Sequence, residues 1–267
     1  MTVMPQLGVG TFRLEGNTAI KSVLDALEIG FRHIDTAQAY NNEEQVGDAI
    51  KTSGLERESL FLTTKVWMEN LGKDKFIPSV HESLAKLKTD YVDLLLIHWP
   101  SADENVRMEE YLQCLAQAKE EGLTRHIGVS NFTISQIEKA QAILGKDEIL
   151  TNQIELHPFM QNRQVVKTCK ERGIGITAYM PFAVGKVMDD DTLNEIAGRY
   201  NATPAQVVLA WMEVNDIQTI PSSTNKDHLQ SNYNYGKVNL SADDLALIDN
   251  LDNGERIVNP DFAPDWD

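Results

Sequence analysis

Short apolar, β-branched runs recur along the chain at regular intervals. They cover residues 7–12, 31–34, 60–64, 92–97, 126–129, 151–154, 174–178 and 217–220. Continuous apolar runs of this length are the pattern of strands buried on both faces of a parallel sheet. Between them the spacing changes to that of helices. Ile20, Val23, Leu24 and Leu27 fall at i, i+3, i+4 and i+7, on one helical face. Ile77, Val80, Leu84 and Leu87 repeat the pattern, as do Met108, Tyr111, Leu112 and Leu115. Ile134, Ile137 and Ile143 follow, then Leu193, Ile196 and Tyr200, then Val207, Val208 and Trp211. Gly16-Asn17 and Thr203-Pro204 are helix-start signals.

Strands and helices alternating in this way predict a (β/α)₈ TIM barrel. The polar residues that end successive strands, Asp35, Lys65, His98 and Ser130, lie about 30–33 residues apart. One βα unit of a barrel this long averages roughly 33 residues. No linker rich in Pro, Gly or Ser divides the chain, so residues 1–267 are expected to form one domain. Residues 253–267 lack periodicity and carry Phe262, Pro264 and Trp266. They are expected to form a tail over the barrel mouth.

Composition narrows the function. Of the 267 residues, 24 are Lys or Arg and 40 are Asp or Glu, a net charge of -16. Nucleic acid and anionic membrane surfaces both demand a basic face, so neither is expected as a partner. No apolar run approaches the roughly 20 residues that span a bilayer. No signal peptide is visible. The two cysteines, Cys114 and Cys169, lie among apolar neighbours and read as buried reduced thiols, as in a cytoplasmic protein. No metal site is expected. The acidic run Asp189-Asp190-Asp191 precedes a helical pattern and suits the positive end of a helix.

Barrels place their chemistry at the C-terminal ends of strands. Here those ends carry Asp35, with Tyr40 five residues on, then Lys65 and His98. Each has an ordinary structural reading alone, but four on adjacent strands point to proton transfer. A phenol titrates near pH 10, too high for efficient acid catalysis at neutral pH. Lys65 is expected to lower that value for Tyr40, with Asp35 as its counterion. His98 can orient a carbonyl oxygen. Such a set suits carbonyl reduction and requires a hydride donor from outside the protein.

The segment from Gly30 to Gly47, GFRHIDTAQAYNNEEQVG, resembles the signature of the aldo-keto reductases. His98-Trp99-Pro100 and Gly128-Val129-Ser130-Asn131-Phe132 resemble further motifs of that family. The resemblance runs from about Leu7 to Asn232 and is nearest to bacterial 2,5-diketo-D-gluconate reductases of the B type. It implies a catalytic tetrad of Asp35, Tyr40, Lys65 and His98. It implies an NADPH-dependent monomer reducing small carbonyl compounds such as 2,5-diketo-D-gluconate or methylglyoxal. The alternative is a non-catalytic cofactor-binding barrel serving as a sensor or structural subunit, in which the tetrad should have been lost.

The resemblance also implies the cofactor contacts. Ser130, Asn131 and Gln153 should hold the nicotinamide carboxamide, with Tyr179 stacked on the ring. Thr11, Ser222, Ser223, Thr224, Lys226, His228 and Asn232 should complete the site. Ser222 stands where the family has lysine, and His228 where it has arginine; Lys226 is expected to replace the lost charge. The segment from Gly8 to Arg13 lacks the third glycine of a Rossmann loop. Phe12, Trp67, Trp99 and Trp266 should wall the substrate pocket.

Overall fold

The computed structural model describes residues 4–102 and 105–267. Eight parallel strands follow one another in sheet order as they do in sequence. They are β1 (Val9–Gly10), β2 (His33–Asp35), β3 (Phe61–Val66), β4 (Val92–Ile97), β5 (Thr124–Ser130), β6 (Ile149–Glu155), β7 (Gly175–Tyr179) and β8 (Ile217–Thr219). The sheet closes on itself through a parallel bridge between Leu7 and Thr219. The Gly8 amide donates to Thr219 O at 2.8 Å and the Gly10 amide to Pro221 O at 3.0 Å. A side chain at Gly10 would meet Ile220 O at 2.7 Å, so this closure requires a glycine. The result is the expected (β/α)₈ barrel.

All eight expected strands are present, with shifted ends. The second begins two residues later than its apolar run and reaches Asp35. The first keeps only two ladder residues, because the chain after Gly10 turns towards the mouth.

The helices are α1 (Gly16–Ile29), α2 (Glu43–Ser53), α3 (Lys73–Leu87), α4 (Met108–Glu120), α5 (Ile134–Leu144), α6 (Arg163–Glu171), α7 (Lys186–Asp189), α8 (Asp191–Arg199), α9 (Pro204–Val214), α10 (Lys226–Tyr233) and α11 (Ala242–Asp249). The six helical patterns of the sequence correspond to α1, α3, α4, α5, α8 and α9. The other five are short or carry few apolar residues, so their periodicity is faint; α10 buries only Leu229 and Asn232. Thr203 and Gln206 form a reciprocal capping box that starts α9, with Pro204 in its first turn. Asp190 caps α8 by accepting from the Leu193 amide at 2.9 Å, which accounts for one member of the acidic run.

Alternate residues of each strand point into the barrel, so its interior is layered. Phe61, Leu94 and Leu96 form an apolar plug with Met4 and Leu150. Among hydroxyls, Thr63 bonds His33 Nε2 at 3.1 Å and Thr151 bonds Thr177 at 2.9 Å. Asp35 and Lys65 lie two residues further along the same strand faces. The larger apolar core fills the space between sheet and helices. Cys114 and Cys169 are buried and free.

His33 is 1% exposed and its Nδ1 has no partner. Burial first, and the Lys65 charge with it, push its pKa from 6.5 down to about 4, against the pull of Asp35 and Asp93. Below pH 6.5 the unfolded chain therefore takes up a proton that the folded chain refuses. Stability must fall as the pH drops from 6.5 towards 4, by about 3 kcal/mol from this residue. Urea unfolding midpoints across that window should fall less steeply in His33→Gln than in the parent. Equal slopes would remove His33 from the account.

Candidate active site at the barrel mouth

Lys65 stands at the end of β3 and is completely buried. Its ammonium donates to Asp35 Oδ1 at 2.5 Å and to Thr36 O at 2.8 Å. Gln153 Nε2, across the barrel, donates to Asp35 Oδ2 at 2.8 Å. Both carboxylate oxygens are thus satisfied, as a buried charge requires. The third contact of the ammonium is the Tyr40 hydroxyl at 3.3 Å. The ring of His98 meets Tyr40 edge-on, with centroids 5.5 Å apart. The structure therefore brings Asp35, Tyr40, Lys65 and His98 together.

Tyr40 owes its position to the loop that follows β2. Gln38 Nε2 donates to Ser79 Oγ and Ser83 Oγ on α3, while its Oε1 accepts from the Trp67 amide at 2.9 Å. Asn42 Nδ2 donates to Thr11 O and Leu14 O, both at 2.8 Å, and its Oδ1 accepts from Thr36. Neither Gln38 nor Asn42 was assigned a role from sequence. Their signal was their place inside the signature segment, between Asp35 and the start of α2.

The electrostatics correct one expectation. Burial and the negative charge of Asp35 raise the Tyr40 pKa well above 10, rather than Lys65 lowering it. Burial also lowers the Lys65 pKa, with Asp35 opposing. The Lys65 charge is largely offset by its own counterion, so the phenol keeps its proton throughout the neutral range. His98 is driven well below 6.5 by burial and by Lys65, and its Nδ1 has no partner. It is therefore a neutral imidazole, able to donate one hydrogen bond without carrying charge.

A cavity of about 1230 Å³ opens from these groups. Ser130, Asn131, Gln153 and Tyr179 line it, as do Ser222, Ser223, Thr224, His228 and Asn232. Asn131, in a left-handed conformation at φ 63, accepts from the Tyr179 hydroxyl at 2.8 Å and donates to Ser130 Oγ at 3.0 Å.

Three expected site residues lie elsewhere. Lys226 pairs with Glu28 at 2.7 Å and Asp25 at 3.8 Å on α1, because it occupies the side of α10 that faces that helix. Thr11 is buried beneath the mouth, its hydroxyl given to Asp35 O. Trp266 does not line the cavity but backs Trp99, ring to ring at 6.0 Å. The first amides of α10 are also occupied: Asn225 Oδ1 accepts from Asp227 N and His228 N.

Phe12, Trp67 and Trp99 do line the cavity. Phe262 joins them, with ring centroids 5.8 Å from Trp67 and 5.4 Å from Trp99. In sequence Phe262 is only one of the apolar residues of an aperiodic tail. Among the described residues no cluster of three or more His, Cys, Asp or Glu is placed to hold a metal ion.

A parallel eight-stranded barrel with a lysine–aspartate pair, a phenol and a neutral imidazole at its C-terminal mouth has the form of a carbonyl-reducing enzyme. The chain belongs to the aldo/keto reductase family, whose model matches residues 6–253. It is 54% identical over 265 residues to methylglyoxal reductase DkgB of Escherichia coli O157:H7, covering 99% of both chains. It is 39% identical over 262 residues to glyoxal reductase of Bacillus subtilis (strain 168), covering 97% of this chain and 93% of that one. A solved structure provisionally named 2,5-diketo-D-gluconic acid reductase B matches with a TM-score of 0.95 and 44% identity, covering 98% of this chain and 94% of that one.

The ion pair makes a stability prediction. Lys65→Met leaves the Asp35 carboxylate buried without its cation, which should cost about 3–5 kcal/mol. Adding Asp35→Asn removes the stranded charge, so the double variant should unfold at higher urea than Lys65→Met alone. A double variant no more stable than the single one would show that the two groups are not coupled.

Proposed function

We propose that this chain reduces small aldehydes and 2-keto carbonyl compounds, methylglyoxal and glyoxal among them, with NADPH as hydride donor. The observation that carries the reading is the Tyr40 hydroxyl 3.3 Å from a fully buried Lys65 ammonium, beside a neutral His98 at the cavity floor. The cavity exceeds the roughly 300–1,000 Å³ of drug-sized pockets and has room for a dinucleotide and a small substrate. Ser130, Asn131, Gln153 and Tyr179 would hold the nicotinamide end, and Ser222, Ser223, Thr224, His228 and Asn232 the adenosine phosphate end. When bound, the cofactor supplies the hydride that adds to the carbonyl carbon.

The chain's own residues then have defined tasks. His98 donates a hydrogen bond to the carbonyl oxygen and fixes its position. Tyr40 passes its proton to that oxygen as negative charge develops there. Lys65 stabilises the phenolate left behind, and Asp35 holds the Lys65 ammonium in place. Phe12, Trp67, Trp99 and Phe262 exclude water around the reacting group. Retention of all four proton-transfer groups within contact range disfavours a non-catalytic sensor. Two buried free thiols support a reducing compartment, and the resemblance implies a monomer.

Tyr40→Phe should lower kcat for methylglyoxal reduction by about 100-fold or more. Its NADPH dissociation constant should stay within about twofold of the parent value. Steady-state NADPH consumption and fluorescence titration measure the two. Near-parent turnover would sink the tetrad assignment.

At the adenosine end, Lys226 is committed to α1 and leaves His228 to meet the phosphate. His228→Arg introduces a planar, permanently charged fork and should tighten NADPH binding about tenfold, while NADH binding stays unchanged. Equal changes for both cofactors would place the phosphate elsewhere.

A further inference from the structure

Residues 253–262 cross the barrel mouth without forming a helix or strand. A buried carboxylate holds them there. Glu155 ends β6 and is fully buried. Its Oε1 accepts from the Ile257 amide at 2.7 Å, and its Oε2 from the Val258 amide at 2.7 Å. His157 Nε2 lies 3.0 Å from Oε1 and braces the carboxylate from its own loop. Two consecutive amides, 102 and 103 residues further along the chain, thus converge on one side chain.

The contacts around this point are of the same kind. Asn162 Nδ2 donates to Glu155 O at 2.6 Å, and Asn162 Oδ1 accepts from Arg256 at 3.0 Å. Just past the anchor, Asn259 and Pro260 line the cavity, and Phe262 sets its ring against Trp67 and Trp99. Only three residues separate Val258 from Phe262, so the anchor limits where that ring can fall.

We propose that Glu155 is a positioning residue for the carbonyl substrate. Its carboxylate clips the C-terminal segment to β6 and thereby places Phe262 as a wall of the substrate pocket. Glu155 does not itself line the cavity, so its influence on substrate passes through the segment. It is also opposite Tyr179 in the β6–β7 register, which gives a competing route towards the cofactor that the test must separate.

Glu155→Gln keeps the size of the side chain but replaces one accepting oxygen with a donor that faces a backbone amide. The KM for methylglyoxal should rise about tenfold, since charge-assisted bonds to the segment are lost. The kcat and the NADPH dissociation constant should each stay within about threefold. Phe262→Ala alone should raise KM by a similar factor, and the double variant by no more than about twofold beyond Phe262→Ala, because both act through one segment. An unchanged KM, a KM effect that multiplies with that of Phe262→Ala, or a change confined to NADPH binding would overturn the proposal.

A second measurement needs no variant. In the parent, the amides of Ile257 and Val258 should exchange with solvent at least about tenfold more slowly than those of Asp265, Trp266 and Asp267. Equal exchange would remove the anchor. The kinetic arm rests on the carbonyl-reductase reading. A parent that consumes no NADPH with any carbonyl would sink that reading, while exchange would still decide the anchor.

Discussion

An ammonium group sealed inside a barrel constrains everything near it. Lys65 has no exposure, and an ion of its size loses several kcal/mol of hydration in such a place. Only close partners offset that loss. Asp35 provides the charge, Thr36 O a second acceptor, and Gln153 occupies the far oxygen of the carboxylate. The first two partners come from β2 and the residue after it, beside β3, whereas Gln153 reaches across from β6, so the carboxylate is fully satisfied only when the barrel has closed. The layering below follows from the same need. Threonines and His33 separate the ion pair from the apolar plug at the base, and a neutral imidazole can occupy that level without adding charge.

The same pair determines what Tyr40 can do. A free ammonium at 3.3 Å would pull a phenol towards ionisation. Here the ammonium is already matched by Asp35, and burial disfavours a phenolate, so the phenol stays protonated at rest. That is the useful state for an acid. Lys65 matters most when the proton leaves, because a phenolate and an ammonium at this distance attract far more strongly than a phenol and an ammonium. Stabilisation that appears only as charge develops lowers the barrier without tightening the resting complex.

The fold was legible in sequence because a barrel repeats one simple pattern: an apolar run, a polar strand end and a helical stripe. Asp35, Lys65 and His98 could be read for the same reason, since each marks a strand end and strand ends meet at one mouth. What stayed hidden depends on direction rather than spacing. Lys226 lies near His228 in sequence, but on a helix two positions separate faces by about 200°, so it meets Glu28 and Asp25 instead of the cavity. Trp266 and Phe262 are four residues apart in an irregular segment, and nothing in local periodicity says which faces the pocket. Glu155 falls just beyond the apolar run 151–154, and its partners are backbone amides, which carry no sequence signature.

Two buried carboxylates thus divide the labour at the mouth. Asp35 holds the Lys65 ammonium beside the Tyr40 hydroxyl, and Glu155 holds the segment that leads to Phe262. The first lies within the barrel ladder, where neighbouring strands leave little freedom. The second fastens a chain with no ladder of its own. Tyr40 and Phe262 therefore rest on separate supports, although both line one cavity. Under the proposed reading, Asn259, Pro260 and Phe262 can vary and reshape the cavity wall while Asp35, Tyr40, Lys65 and His98 stay where the ion pair has put them.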